Sequence, residues 1–235
     1  MDTTLLALIA GLTPAVVLII HIYMRDHLER EPLSWVLRAV WYGVLCAFPA
    51  SLIEAALPPA TEGTLGGALY FGYIQAALPE EGMKLLFLWL LLRKNPYFDE
   101  RMDGIVYAVC VSMGFAGLEN VLYMFTNLDN LSSVALSRAI LSVPGHFFFA
   151  VFMGYNLSLA LWGREEERPR RWLYTLLIPV LLHGTYDAAL FATSIGDWVA
   201  VVALIVFLRL CFWMWKEGHK RIATILRLDE RNTAG

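Results

Sequence analysis

The sequence predicts an all-α fold: a polytopic transmembrane helix bundle of about seven spans, with the N-terminus outside and the C-terminus cytoplasmic. Three observations lead there. The chain is 58% hydrophobic and only 17% charged over 235 residues, with a mean hydropathy of +0.58, a composition typical of membrane-embedded chains. Apolar windows of about 20 residues, the length that crosses a bilayer as a helix, recur from end to end. The basic residues alternate sharply between successive connections.

The windows give spans near 3–24, 36–57, 67–92, 103–126, 135–162, 172–193 and 197–215. The breaks between them carry loop chemistry: "RDHLEREP", "PPATEGT", "RKNPYFDER", "NLDN", "REEERPRR" and "SIGD". The first window lacks a basic leader and a small-residue cleavage site, so it is expected to stay as the first helix. Residues 1–215 then form one integral-membrane domain. Residues 216–235 form a basic cytoplasmic tail, too short to fold alone. No internal repeat is evident.

Fifteen of the 18 Lys and Arg fall in the first, third and fifth connections and the tail. The remaining connections and the N-terminus hold one, Arg138, while Lys84 and Arg209 lie within spans. The positive-inside rule therefore sets the orientation, and an odd span count requires the same outcome. Tyr23, Trp35, Trp162, Trp172, Trp198 and Trp215 stand near span ends as interfacial anchors. Cys46, Cys110 and Cys211 all fall in apolar runs without a C-x-x-C, which argues for buried thiols over disulfides or a cysteine metal site.

Against this background the ionisable groups inside spans stand out: Glu80, Glu81, Lys84, Glu119, His146, His183 and Asp187. An acidic or basic residue at the centre of a span costs about 2.5–3.5 kcal/mol on insertion scales, so such groups face the bundle interior and mark a site. Their depths agree. His146 lies 11 residues into the fifth span, ~16 Å at the rise of a helix, and the others reach the midplane or outer half. Glu80 and Lys84 share a helix face at i,i+4, as do His183 and Asp187. Glu81 is rotated about 100° from Glu80 at nearly the same height. Pro79, Pro144 and Pro179 stand close before Glu80, His146 and His183, where they can open the helix backbone. Gly82, Gly114, Gly117, Gly145 and Gly184 neighbour the polar groups and allow close helix approach.

Each pair has a structural reading, as an ion pair or as packing glue between helices. Four helices supplying such groups at one level favour a site. Two hydrolytic chemistries fit. Histidine and carboxylate can bind Zn²⁺ with one position open while a glutamate serves as general base. Alternatively, Glu80 or Glu81 activates water directly, with His183 and Asn120 stabilising an oxyanion. The absence of H-E-x-x-H and G-x-S-x-G excludes a zincin and gives no sign of a serine nucleophile. A proton- or ion-coupled transporter would also place acids and histidines at the midplane. It would be expected to show inverted repeats, and none are seen. A non-catalytic membrane scaffold is the third possibility.

"EEGMK" (80–84), "FAGLEN" (115–120) and "HGTYD" (183–187) match E-E-x-x-K, F-x-x-x-E-N and H-x-x-x-D motifs in order, with "HFFFAVFMG" (146–154) between them. "DGIVYA" (103–108) and "REP" (30–32) add to the pattern. Together they resemble the PrsW family of intramembrane proteases, distantly related to the type II CAAX prenyl endopeptidase and Abi group. The resemblance spans roughly residues 20–190. It implies cleavage of a single-span anti-sigma factor from the outer side, the first cut of regulated intramembrane proteolysis. It also implies a metal-dependent or glutamate-type mechanism. On this reading Glu80, Glu81, Lys84 and Asn120 are catalytic, and Glu119, His146, His183 and Asp187 hold Zn²⁺. The expected partners are the lipid bilayer and the membrane-anchored substrate, with no nucleic acid. The expected location is the cell membrane, as a multi-pass protein.

Overall fold

A computed structural model describes residues 2–233. Within them the chain is helical almost throughout: α1 (Thr3–Arg25), α2 (Leu33–Ala56), α3 (Leu65–Leu69), a π-helical segment Tyr70–Ala77, α4 (Leu78–Leu92), α5 (Arg101–Thr126), α6 (Leu131–Ser137), a second π-helical segment Arg138–Ser142, α7 (Val143–Trp162), α8 (Arg168–Ala192) and α9 (Asp197–Thr233). Six helical stretches are long and apolar enough to cross a membrane. The seventh expected span is the run from α3 through α4, which is continuous but interrupted by the π segment. The protein is thus a multi-pass membrane protein. All three cysteines are free, Cys46 and Cys110 buried and Cys211 partly so.

Helix α5 is the central post. It is buried from Met102 to Gly117 without a break and packs against α1, α2 and α7. Glycines permit this. A Cβ on Gly114 would overlap the Val40 carbonyl, and one on Gly43 would overlap that of Val111, so α2 and α5 meet backbone to backbone. Gly72 meets α8 in the same way at Gly184. Gly82 behaves otherwise: nothing lies within 4 Å of a Cβ there, so it is not a close-approach glycine. The outer helices turn large apolar side chains away from the bundle, among them Leu52 on α2 and Trp198 and Phe212 on α9. In lipid this exposure carries no penalty.

Both π segments end just before a proline, Pro79 or Pro144, at the start of the following α-helix. Proline lacks the N–H that would close an α-helical turn, and its ring crowds the carbonyl four residues back. The wider π turn absorbs both defects. It also sets the phase of the next helix, and the next residues are Glu80 and Glu81 in one case and His146 in the other. The basic stretch after residue 215 continues as α9 to Thr233. Its end folds against the start of α5, where Asp229 accepts from the Met102 N–H at 2.9 Å and pairs with Arg101 at 3.1 Å.

Candidate active site

Four helices carry polar groups to one centre. Glu80, Glu81 and Lys84 come from α4, Glu119 from α5, His146 from α7, and His183 and Asp187 from α8. Lys84 lies in the middle, 1% exposed. Its ammonium donates to Glu81 Oε1 at 2.8 Å, to Glu80 Oε2 at 3.0 Å and to His146 Nδ1 at 3.1 Å. It also stands 4.1 Å from the centre of the Phe115 ring. Glu80 and Glu81 stand four and three residues before Lys84, so helical spacing itself lets the lysine meet both.

Each histidine has one ring nitrogen toward this centre and the other on a carboxylate. His183 Nδ1 lies 3.0 Å from Glu81 Oε1, and its Nε2 lies 3.1 Å from Asp187 Oδ2. His146 turns Nδ1 to Lys84, and its Nε2 lies 3.2 Å from Glu119 Oε2. The Phe149 ring stacks on His183 at 4.7 Å and 16°, holding the imidazole plane. Ser112 donates to the His146 carbonyl at 3.0 Å, tying α5 to α7 beside the site.

Arg138, on the second π segment, completes the wall. It donates to Glu119 Oε2 at 2.8 Å and to Asn120 Oδ1 at 2.6 Å, and its guanidinium stacks 3.8 Å from the Tyr123 ring centre. Asn120 is fully buried, and its amide nitrogen donates to the Gly11 carbonyl on α1 at 2.8 Å. Both ends of that side chain are therefore engaged within the fold. Sequence reasoning did not single out Arg138 as a site residue, although it was the lone basic group in its set of connections. Glu54, near the end of α2, lines the same cavity.

That cavity has a volume of about 740 Å³ and is bounded by Glu54, Glu80, Glu119, Arg138, His183 and Asp187 among others. It is built from the C-terminal ends of α2, α5 and α8 and from the two π segments, so it opens at one end of the bundle. Glu80 borders it and Glu81 does not. The side chains of Asp187 and Glu119 are 20% and 25% exposed, against 0% for Glu81.

Glu80, Glu81, His146 and His183 can each place one donor atom within 4.8 Å of the other three. Two imidazoles and two carboxylates form a donor set that suits Zn²⁺. Two further observations fit a cation here. Glu81 Oε2 is buried with no hydrogen-bond partner. The Lys84 ammonium stands among three of the four donors and so takes the place of a positive ion. The expected ligand set of Glu119, His146, His183 and Asp187 thus shares its histidines with this group, while Glu119 and Asp187 sit behind them.

Comparison with known proteins shows the family. The profile of the PrsW family intramembrane metalloproteases matches residues 31–214. Protease PrsW of Geobacillus kaustophilus (strain HTA426) is 40% identical over 183 residues, 78% of this chain and 79% of that protein. Protease PrsW of Bacillus subtilis (strain 168) is 32% identical over 216 residues, covering 92% and 95%. That of Clostridioides difficile (strain 630) is 34% identical over 220 residues, covering 92% and 88%. No solved structure matches. Four motifs on four helices converge on one buried cluster and the similarity runs nearly the length of the chain: the protein belongs to the PrsW family of intramembrane metalloproteases.

Proposed function

We propose that the protein makes the first cut in a single-span membrane protein of the anti-sigma-factor type, hydrolysing a peptide bond near the outer face of the membrane. The observation that carries this reading is the cavity. It opens at the end of the bundle formed by the connections after α2, α5 and α8, the end poor in Lys and Arg. By the positive-inside rule that end is the outer one, so the buried carboxylates and histidines meet substrate from that side.

We assign Glu81, His146 and His183 as the ligands of a Zn²⁺ ion, a three-residue set of the kind that leaves one position open in catalytic sites. Zn²⁺ bound there supplies Lewis-acid polarisation of the scissile carbonyl. Glu80, the glutamate that borders the cavity, takes the proton from the attacking water and delivers it to the leaving amine. Asp187 and Glu119 each hold the far nitrogen of a histidine, which sets the ring orientation and the tautomer. Arg138 pins Glu119 and Asn120 together, and Asn120 serves as its support on α1 rather than as an oxyanion donor. Lys84 neutralises the paired glutamates.

The test is cleavage of a tagged single-span anti-sigma factor co-reconstituted in vesicles. E80Q should lower the rate by about 10²–10⁴-fold, the usual contribution of a general base, and His183→Ala should abolish it, with both proteins still monodisperse. Full activity in both variants would refute the catalytic assignment. Cleavage of other single-span proteins but not of the anti-sigma factor would refute the substrate assignment alone. Activity that survives chelation in protein free of metal would move the mechanism to glutamate-activated water.

A further inference from the structure

The two familiar stretches that the catalytic site does not use, "REP" (30–32) and "DGIVYA" (103–108), meet at the opposite end of the bundle. Asp103 and Glu119 are 16 residues apart on α5, about 24 Å along its axis. Glu31 is 3% exposed and Asp103 0%. Their carboxyl groups lie beside each other. The Tyr107 hydroxyl donates to Glu31 Oε2. Asp103 Oδ2 accepts the Asp99 and Glu100 N–H groups at 2.9 and 2.7 Å, which leaves Oδ1 buried with no donor.

Asp26, at the C-terminal end of α1, closes the group. It is 0% exposed, and neither carboxylate oxygen has a hydrogen-bond partner. The charged groups that act on it most are Glu100, Glu31 and Asp229, with His27 opposing them. Glu100 adds another buried oxygen without a partner, Oε2. The nearby cations are committed elsewhere. Arg101 pairs with Asp229, and Arg30 donates to the Asp26 carbonyl beside the Tyr23 ring. His27 lies 3.6 Å from Glu230. Among the described residues, no Lys, Arg or His forms an ion pair with Asp26, Glu31, Glu100 or Asp103.

Four carboxylates therefore crowd one place, three of them with buried oxygens that nothing satisfies. A buried anion without a partner costs several kcal/mol or more, and two carboxylates in mutual contact need positive charge between them. A protein partner cannot supply it, because Asp26 and Asp103 have no exposed surface. A small ion can. The donors are all hard oxygens, which select Mg²⁺ or Ca²⁺ over transition metals. Only the catalytic group brings three ligand atoms within 4.8 Å among the described residues. This cluster thus suits an ion that keeps part of its water shell, the habit of Mg²⁺.

We propose that Asp26, Glu31, Glu100 and Asp103 form a second, non-catalytic cation site that binds partly hydrated Mg²⁺, with Glu31 and Asp103 contacting the ion directly and Asp26 and Glu100 through water. The ion ties the α1–α2 connection to the start of α5, the post on which the catalytic cluster is mounted. The site is independent of the catalytic reading.

The experiment uses full-length protein in detergent, stripped with chelator and exchanged into buffer above neutral pH. Thermal unfolding is followed while MgCl₂ is titrated through the millimolar range, with KCl at matched ionic strength as control. Saturable stabilisation is expected, reaching about 5–10 °C at a hundredfold excess over the dissociation constant, and absent in KCl. It should persist in His183→Ala, which removes a catalytic ligand, and vanish in Asp26→Asn and Glu31→Gln. Binding of Mn²⁺ as a paramagnetic probe to His183→Ala should give one ion per chain by electron paramagnetic resonance, and none once Asp26→Asn is added. No saturable Mg²⁺ effect in wild type, or an equal effect in Asp26→Asn, would overturn the proposal and leave protons as the neutralising charge.

Discussion

Replacing Lys84 with methionine tests the central claim about the catalytic cluster, that its ammonium holds the place of a cation. Methionine keeps the length of the chain and its packing on Phe115 but removes the charge. In the metal-free protein the substitution breaks hydrogen bonds of 2.8 and 3.0 Å to two carboxylates that are 0% and 9% exposed, and a third of 3.1 Å to His146. Removing one member of a buried ion pair costs about 3–5 kcal/mol, because the other is left as an uncompensated charge. For a chain of this length each kcal/mol moves Tm by about 2–4 °C, so the melting temperature should fall by about 6–20 °C. Zn²⁺ placed among Glu81, His146 and His183 supplies the missing charge. Its stabilising effect should therefore be larger in Lys84→Met than in wild type. The assay is differential scanning fluorimetry in detergent, with and without added Zn²⁺, on chelator-stripped protein. An unchanged metal-free Tm would show that the lysine neutralises nothing. An equal or smaller Zn²⁺ effect in the variant would show that the ammonium and the metal do not share a place.

Three further outcomes follow from the same geometry. Glu119→Gln and Asp187→Asn should each weaken Zn²⁺ binding by about 10–100-fold, as loss of a carboxylate behind a ligating histidine does, measured by competition with a chelating dye; His183→Ala should lose far more. Gly114→Val should destabilise the protein by about 1–3 kcal/mol or more through overpacking against the Val40 backbone, whereas Gly82→Ala should leave Tm unchanged because its Cβ meets open space. Burial, with Glu100 and Glu31 nearby, pushes the Asp26 carboxyl up to about 7. A carboxyl raised in the folded state binds its proton more tightly there than in the unfolded chain, so stability is lost as pH rises through that value. In chelator, Asp26→Asn should accordingly match wild type near pH 4, gain on it steadily as pH rises to about 7 and keep a constant advantage above that, which a series of melting curves across that range will register.

Much of this was legible in the chain itself, and the reason is the solvent. In a bilayer every backbone polar group must be satisfied within its own helix, so apolar runs of the right length announce helices directly. Glu80, His146 and His183 could be assigned to one depth because rise per residue and alternating direction suffice for that. Pro79 and Pro144 signalled a disturbance before Glu80 and His146, but not its form, the π turn; Pro179, before His183, sits inside an α8 that stays α-helical.

Rotation about the helix axes, and reach across them, could not be read in the same way. Spacing set Glu81 about 100° from Glu80, and only packing shows that Lys84 binds both while Glu80 alone borders the cavity. Asn120 carried the chemistry of an oxyanion donor, and only packing brings its amide N–H onto the Gly11 carbonyl of α1 and its Oδ1 under Arg138. The Glu31–Asp103–Asp26 group joins the first connection to the start of the fourth span, a juxtaposition that spacing along the chain does not give. The sequence by itself determined the helices, their order and the level at which the polar residues lie, since each is set by local composition in an apolar solvent. The tertiary structure alone decided which carboxylate faces the cavity, which stands behind a histidine and which buried acids remain unpaired, since those depend on the few ångströms by which packed helices turn toward one another.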